Sequence, residues 1–309
     1  MFDSDLIQQL RSAEVSKFLY HLPIFNQETQ LASRAIGLSV ELAGIEVFPD
    51  TRTCWHFDDK IAQKYLFEAV DIPHCPTWVF YNLENSLEWI ESAIFPKVFK
   101  LRCGAGSTNV QLVRSKSQAR KLAIRMFGSG VAATSGLLND LHTKIYKHRR
   151  QHDWVDVIRR APASFGNFLK LRREFVPERG YLYFQEFLQG NDFDTRVTII
   201  GNRAFVFRRF VRPNDFRASG SGRIDWDPTG VDPRCVQIAF ESAAKIDSQC
   251  LAFDFVNNTD GVPVVLEVCY AFVPEAVHKC SGHWDDKKNW HEGHMWPQDA
   301  IMEDILMMT

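Results

Sequence analysis

Two carboxylates in the C-terminal third carry the clearest chemistry of this 309-residue chain. Asp254 lies in LAFDFV and Glu267 in VPVVLEV, each an apolar, β-branched and aromatic run that predicts a strand. NNTDG between them is a turn signal. Two acids held on adjacent strands form a hard-cation site, of the kind that carries a magnesium ion with a triphosphate. Groups suited to polyphosphate recur upstream. Lys60 follows two aspartates in DDK, and Lys100 ends PKVFK; a lysine ammonium is a compact cation for phosphate oxygen. GAGST, 104–108, comes next. Its Gly104 and Gly106 allow close backbone approach, and Ser107 and Thr108 offer hydroxyls. Alone that stretch reads as an ordinary tight turn, since the GK[ST] of a P-loop is absent. Arg196 stands two residues after Asp194 in DFDTR. Arg208, Arg209, Arg212 and Arg217 crowd 208–222, where strand alternation sets Arg208 and Arg212 on a different face from Arg209. These first three make either a charged sheet face or a contact for an anionic acceptor.

The elements that must position these groups are read from periodicity and punctuation. Residues 1–20 read as helical, and 37–50 as a helix or strand pair closing at Pro49. In 57–81, Asp58 or Asp59 can cap a helix carrying Ile61, Tyr65, Leu66 and Ala69 at helical spacing, and TWVFY is a short strand. NSLEWIESAI is an amphipathic helix, PKVFK to VQLV is strand, loop, strand, and SQARKLAIRMFGSG is a helix ending in glycine. From 181 the pattern turns to β: YLYFQEFL, then DTRVTIIGNRAFVFRRFV with a Gly201-Asn202 turn. VDPRCVQIAFESAAKID is a helix leading into the Asp254 strand, and the tail ends in a helix from 297. The fold class is α/β, with α+β lobes.

Composition excludes several functions. A formal net charge of -2 argues against a dedicated nucleic-acid binder. The basic stretch near 131–180 reads either as solvated helix faces or as a lid over an anionic substrate. Seven scattered cysteines without a CxxC pair fit a reduced, cytoplasmic protein. The N-terminus lacks a signal-peptide apolar core, and no apolar run reaches membrane-spanning length. The tail histidines His278, His283, His291 and His294 with Cys280 match no zinc spacing, so an aromatic tail packed over the cleft is expected instead.

Taken in order, these motifs resemble the ATP-grasp superfamily, most closely the branch of glutathione synthetase and the ribosomal-protein glutamate ligase, over about 56–275. The resemblance implies a small N-terminal α/β domain, 1–56; a central lobe, 57–184, with a basic helical insertion near 131–180; and a C-terminal lobe, 185–309, with the metal site. The two lobes of such enzymes clamp ATP. By resemblance, Lys60, Lys100 and the loop of Gly104, Gly106, Ser107 and Thr108 hold the phosphates. Gln185, Glu186, Phe187 and Leu188 form the adenine hinge, and Asp194 meets the ribose. Asp254 and Glu267 hold Mg²⁺, while Arg217 and Arg196, with Lys100, act on the transferring phosphoryl group. The implied reaction joins a carboxylate to an amine, or a thiol, through an acyl phosphate, with a closing lid to exclude water. Its substrates would be a small-molecule, peptide or carbohydrate-linked acid plus an amine acceptor, and such enzymes are often homo-oligomers.

Two departures stand out. Cys269 takes the place of the asparagine that the family uses as a further metal ligand, and a thiol suits magnesium poorly, so a neighbour such as Asn257 would have to serve. YAFVPEA replaces the family's small polar ending, which implies a distinct acceptor pocket. Three rivals stand beside the ligase: a kinase on the same fold, a catalytically decayed nucleotide-binding regulator or scaffold, and an RNA-binding module, for which the recognition motifs are missing.

Overall fold

The computed structural model describes residues 1–22, 27–104, 109–132, 177–213 and 215–307. It divides into two compact units, Met1–Cys75 with Leu188–Thr309, and Pro76–Phe187. Residues 1–56 thus share a unit with the C-terminal sheet, where the sequence suggested a separate N-terminal domain.

The first unit opens with α1 (Leu6–Ser12), β1 (Lys17–Leu19), α2 (Gln27–Leu42), β2 (Glu46–Phe48), α3 (Thr51–Cys54) and α4 (Lys60–Ala69). The helix expected over 1–20 is therefore only two turns long. Glu14 takes a left-handed φ of 50°, which ends helical propagation, and Lys17–Leu19 pairs in parallel with Glu46–Phe48 instead. Region 37–50 proves to be the end of α2, a turn at Gly44, and β2. Asp59 is the residue that caps α4, accepting from the Ala62 N–H at 3.0 Å.

The main sheet of this unit contains β7 (Phe193–Ile200), β8 (Arg203–Phe210), β9 (Ile224–Asp225), β10 (Cys250–Asn257), β11 (Pro263–Cys269), β12 (Gly282–Asp285) and β13 (Trp290–Glu292). Its order is β11-β10-β7-β8-β12-β13, with β9 on β8, and every pairing is antiparallel. Helices α7 (Pro233–Ile246), α8 (Pro274–His278) and α9 (Pro297–Met307) complete it. The β7–β8 hairpin turns on Gly201 and Asn202; Gly201 has φ 54°, and an added Cβ would lie 2.2 Å from an Asp304 carboxylate oxygen. Helix α7 starts at Pro233 behind the Asp232 cap and packs on β7, β8 and β10. Its Val236, Ala239, Ala243 and Ile246 join Val197, Ile199, Val206, Leu251 and Phe253 in the core. That burial uses one face of the strands and leaves the alternate positions for polar groups.

The tail corrects another expectation. β12 and β13 form a hairpin on β8, with Trp284 opposite Trp290, at the sheet edge opposite β11. The aromatic tail extends the sheet; it does not cover the β11 carboxylate. Among the described residues no group of three His, Cys, Asp or Glu side chains could hold a metal, and no helix is long and apolar enough to cross a membrane.

The second unit is built on β3 (Thr77–Phe80), β4 (Lys97–Lys100), β5 (Val110–Val113) and β6 (Leu182–Glu186), in the antiparallel order β3-β6-β4-β5. Helices α5 (Leu83–Ser92) and α6 (Lys116–Phe127) pack against each other, and contact β3 and β6 respectively. Both are capped as their sequences dictate, by Asn82 and by Ser115. Trp89 of α5 stacks among Trp78, Phe80 and Phe184, which fixes the helix-covered face of the sheet. The bulk of the basic stretch near 131–180 lies outside the described residues.

Candidate functional site

On one face of the main sheet, strand register gathers the charged residues that the sequence scatters over seventy positions. Asp194 pairs across to Arg209, and Arg196 to Asp254, which in turn pairs to Glu267. Asp194 and Arg196 are two apart on β7, so all five point to the same side. A β-bulge falls between Asp254 and Phe255 in their pairing with β11; it interrupts alternation there, and Leu266 and Glu267 are both left half-exposed.

These side chains form a buried chain of ion pairs. Arg196 grips Asp254 with two bonds, Nε to Oδ1 at 2.6 Å and Nη2 to Oδ2 at 2.7 Å. Arg209 grips Asp194 the same way, at 2.7 and 2.8 Å, and its Nη2 also lies 2.7 Å from Asp254 Oδ2. Bidentate guanidinium–carboxylate pairs are among the strongest polar contacts, but breaking one in a buried setting leaves a charge without compensation. Burial would raise the Asp254 carboxyl, yet Arg196 and Arg209 hold it well below the usual carboxylate range. Burial raises Asp194, against the pull of Arg209 and with the help of the neighbouring Asp254 charge. Burial would lower Arg209, but the two aspartates keep it cationic.

Lys60 enters from the first turn of α4, and its Nζ lies 3.2 Å from Glu267 Oε1. The lysine side chain is only 4% exposed and the glutamate 32%, so the ammonium is buried beneath a carboxylate that still meets solvent. Gln63, one turn along, sets this distance. Its side-chain amide donates to the Val268 carbonyl at 2.9 Å and accepts from the Val268 N–H at 3.2 Å, next to Glu267. Asn191 makes the same two-way bond to the backbone of Asn257 on β10.

In the second unit, Lys100 closes β4 and is buried, on the same face as Val98, which pairs with Gln185. Gln185 Nε2 donates to Thr77 Oγ1 at 3.2 Å. Lys97 and Glu186 occupy the other face, paired at 2.8 and 2.9 Å, with the Lys97 ammonium over the Trp78 ring. Glu186 therefore commits its carboxylate to the helix side. The Phe187 N–H bonds Glu186 Oε1 at 3.2 Å. Gly104 takes φ 129°; Gly106, Ser107 and Thr108 lie outside the described residues.

These two units contain the elements of a known architecture, an antiparallel four-stranded sheet with two helices and a larger antiparallel sheet bearing paired acids. Solved structures share the fold. The ATP-grasp ligase PsnB complexed with a minimal precursor aligns with a TM-score of 0.51 at 14% identity, covering 91% of this chain and 71% of that one. Biotin carboxylase from Campylobacter jejuni, in a β,γ-ATP complex, aligns at 0.56 and 13% identity, covering 96% and 56%. The D-cycloserine synthetase DcsG aligns at 0.52 and 15%, covering 84% and 77%. The chain has the ATP-grasp fold. No protein-family model matches the sequence, nor does any curated sequence, so the likeness is one of fold. The chain spans little more than half of the length of the biotin carboxylase.

Against the ATP-grasp frame, the sequence-based site residues separate into groups. Lys60, Arg196, Asp254 and Glu267 come together on one sheet face. Asp194 is 9% exposed at its side chain with both oxygens bonded to Arg209, which suits a counter-ion and leaves little for a ribose hydroxyl. Arg217 lies in the segment after β8, bonded to Asp215 at 2.7–3.0 Å, which Arg212 also approaches at 4.0 Å. Leu188 opens the stretch leading to β7. Asn257, a substitute ligand on sequence grounds, is three residues from Asp254 on the same strand, so alternation turns it to the opposite face.

Sequence reading named Arg209 without its pairing to Asp194, and missed Gln63, the Lys97–Glu186 pair and His56. For Arg209 a signal existed: counting outward from the two-residue Gly201-Asn202 turn sets it opposite Asp194. His56 is fully buried with neither ring nitrogen bonded among the described residues, and burial lowers it to about 4.

The donor set fits one magnesium ion. Glu267 is an accessible carboxylate, and Asp254 Oδ1 accepts a single bond, so each can offer an oxygen to a hard cation that otherwise takes phosphate and water. Cys269 comes two residues later on the same strand, but burial pushes its thiol up to about 12, so it stays protonated and offers no oxygen.

Proposed function

We propose that the chain is an ATP-dependent ligase that joins a carboxylate to an amine through an acyl phosphate, releasing ADP and phosphate. The observation that carries this reading is the half-exposed Glu267 carboxylate set 3.2 Å from the buried Lys60 ammonium on an ATP-grasp sheet. An acid that reaches solvent beside a buried cation is suited to a metal-bound polyphosphate, because the cation meets phosphate oxygens and the acid meets the metal. Two of the compared structures are an ATP complex and a ligase with its precursor, which supports a nucleotide and a second substrate here.

In this reading Lys60 neutralises phosphate oxygens, and the resemblance read from the sequence extends a phosphate role to Lys100 and Gly104. The strand end Gln185–Leu188 offers backbone groups to the adenine edge. Glu267, with Asp254, would hold magnesium, which supplies charge neutralisation and orientation to the phosphates. Arg196 and Arg217 steady the γ-phosphoryl group as a carboxylate oxygen attacks phosphorus and the bond to the β,γ-bridging oxygen breaks, releasing ADP. The amine nitrogen then attacks the acyl carbon, the phosphate leaves with the former carboxylate oxygen, and the nitrogen loses a proton. Asp194 serves as counter-ion to Arg209 in this scheme. The substrate is a small-molecule, peptide or carbohydrate-linked acid.

The test is ADP release against a panel of acids and amines, with hydroxylamine added to trap the acyl phosphate as a hydroxamate. Acid-dependent ADP release and hydroxamate support the ligase. ADP release with a phosphorylated acceptor and no hydroxamate would favour a kinase. A second reading, a nucleotide-binding protein without turnover, draws on the commitment of Asp254 to two arginines; binding without ADP release under every pair would favour it.

A further inference from the structure

The cation arrangement at this sheet face is unusual in its donors. Asp254 and Glu267 are the acids that register brings together beside Lys60. Asp254 Oδ2 accepts from both Arg196 and Arg209, and Oδ1 from Arg196. A carboxylate has about four lone-pair sites, so roughly one is left, on Oδ1. Further along β11 stands Cys269, opposite Ala252, a sulfur where an oxygen would be needed. Magnesium takes an octahedron of oxygens at about 2.1 Å. Among the described residues no third carboxylate joins Asp254 and Glu267, so a second ion would have to share the oxygens of Glu267 with the first.

Arg196 meets the charge requirement differently. Its Nε and Nη2 are fixed by Asp254, and Nη1 takes no bond among the described residues. The side chain is 16% exposed, and two of the three guanidinium nitrogens are held by Asp254. Arg196, Asp254 and Glu267 stand in one row on three adjacent strands, which sets Arg196 roughly 10 Å from Glu267 at the Cα atoms. A guanidinium is always charged and forks readily to phosphate oxygens. Building on the nucleotide-binding reading and its metal site, we infer that this chain works with a single magnesium ion, held at Glu267, and that Arg196 supplies the second positive charge at the phosphates.

Manganese(II) paramagnetic resonance on the full chain, saturated with the non-hydrolysable ATP analogue AMP-PNP, counts the ions directly. One ion per bound nucleotide is expected, rising to two in Cys269→Asn, which adds an oxygen donor. Two ions on the unaltered chain would overturn the inference. Arg196→Gln is expected to weaken AMP-PNP by about tenfold or more while AMP, which lacks the outer phosphates, binds nearly as before. Arg196→Lys, which keeps the cation, is expected to recover most of that loss and guards against a folding defect. Equal weakening of AMP and AMP-PNP in both variants would make Arg196 merely structural and overturn the proposal. Failure of the unaltered chain to bind AMP-PNP at all would instead strike the nucleotide reading beneath it.

Discussion

Removing the Arg209 guanidinium would strand the buried Asp194 carboxylate and leave Asp254 with Arg196 alone, in a setting where neither acid reaches water easily. Arg209→Met is therefore expected to cost about 3–5 kcal/mol, read as a lower urea midpoint with an unchanged slope. A loss of under about 1 kcal/mol would place the pair in the class of surface ion pairs. His56 gives a second prediction at this scale. Its folded pKa is lowered from 6.5 to about 4, so between those values the unfolded chain binds a proton that the folded chain does not. Stability then falls as pH drops from about 6.5 to about 4, by about 3 kcal/mol for a full shift of this size. His56→Phe is expected to flatten that limb of the pH–stability curve, and a limb of unchanged steepness would contradict it. Asp254 acts in the same direction at lower pH, because its depressed carboxyl contributes stability that is lost on protonation; the raised Asp194 acts oppositely. At this scale the sequence motifs single out Lys60, Arg196, Asp254 and Glu267, and the structure brings these four together. The partnership of Arg196 with Asp254 was not legible, because it depends on β7 lying beside β10, a pairing across more than fifty residues that local pattern does not encode.

Gln63 ties α4 to β11 through two bonds of its amide, with a third to the His56 carbonyl at 3.3 Å, and so holds Lys60 to Glu267. Gln63→Leu fills a similar volume without those bonds and leaves the Val268 N–H and carbonyl unmatched in a buried place. The expected cost is about 1–3 kcal/mol, with faster hydrogen exchange at Val268 and weaker magnesium-nucleotide binding. Unchanged exchange at Val268 would show that the helix is held elsewhere. Elements themselves were read well where punctuation was strong: the Gly201-Asn202 hairpin, the Pro233 helix behind Asp232, and the helices capped by Asn82 and Ser115. The N-terminal twenty residues were misread because Lys17–Leu19 is too short to show alternation, and its strand character comes from pairing with Glu46–Phe48. The aromatic tail was misjudged for a similar reason, since Trp284 and Trp290 find each other across a hairpin at the β8 edge.

Across the whole molecule, each unit carries its own antiparallel sheet with one face committed to helices and the other holding lysine or carboxylate groups at alternate positions. The chain shares its fold with solved structures to which it is 13–15% identical. Fold class was readable from the sequence because alternation and capping survive such divergence. The division into units was not, since residues 1–75 join the 188–309 segment through contacts far apart in the chain. The central claim is that Glu267 and Lys60 form a magnesium-nucleotide site. Titration calorimetry of the full chain with ATP, with and without magnesium, and of Glu267→Gln tests it most directly. The account predicts magnesium-dependent binding that falls about tenfold or more in the variant. No nucleotide binding by the unaltered chain, or equal magnesium-dependent binding by both proteins, would contradict it.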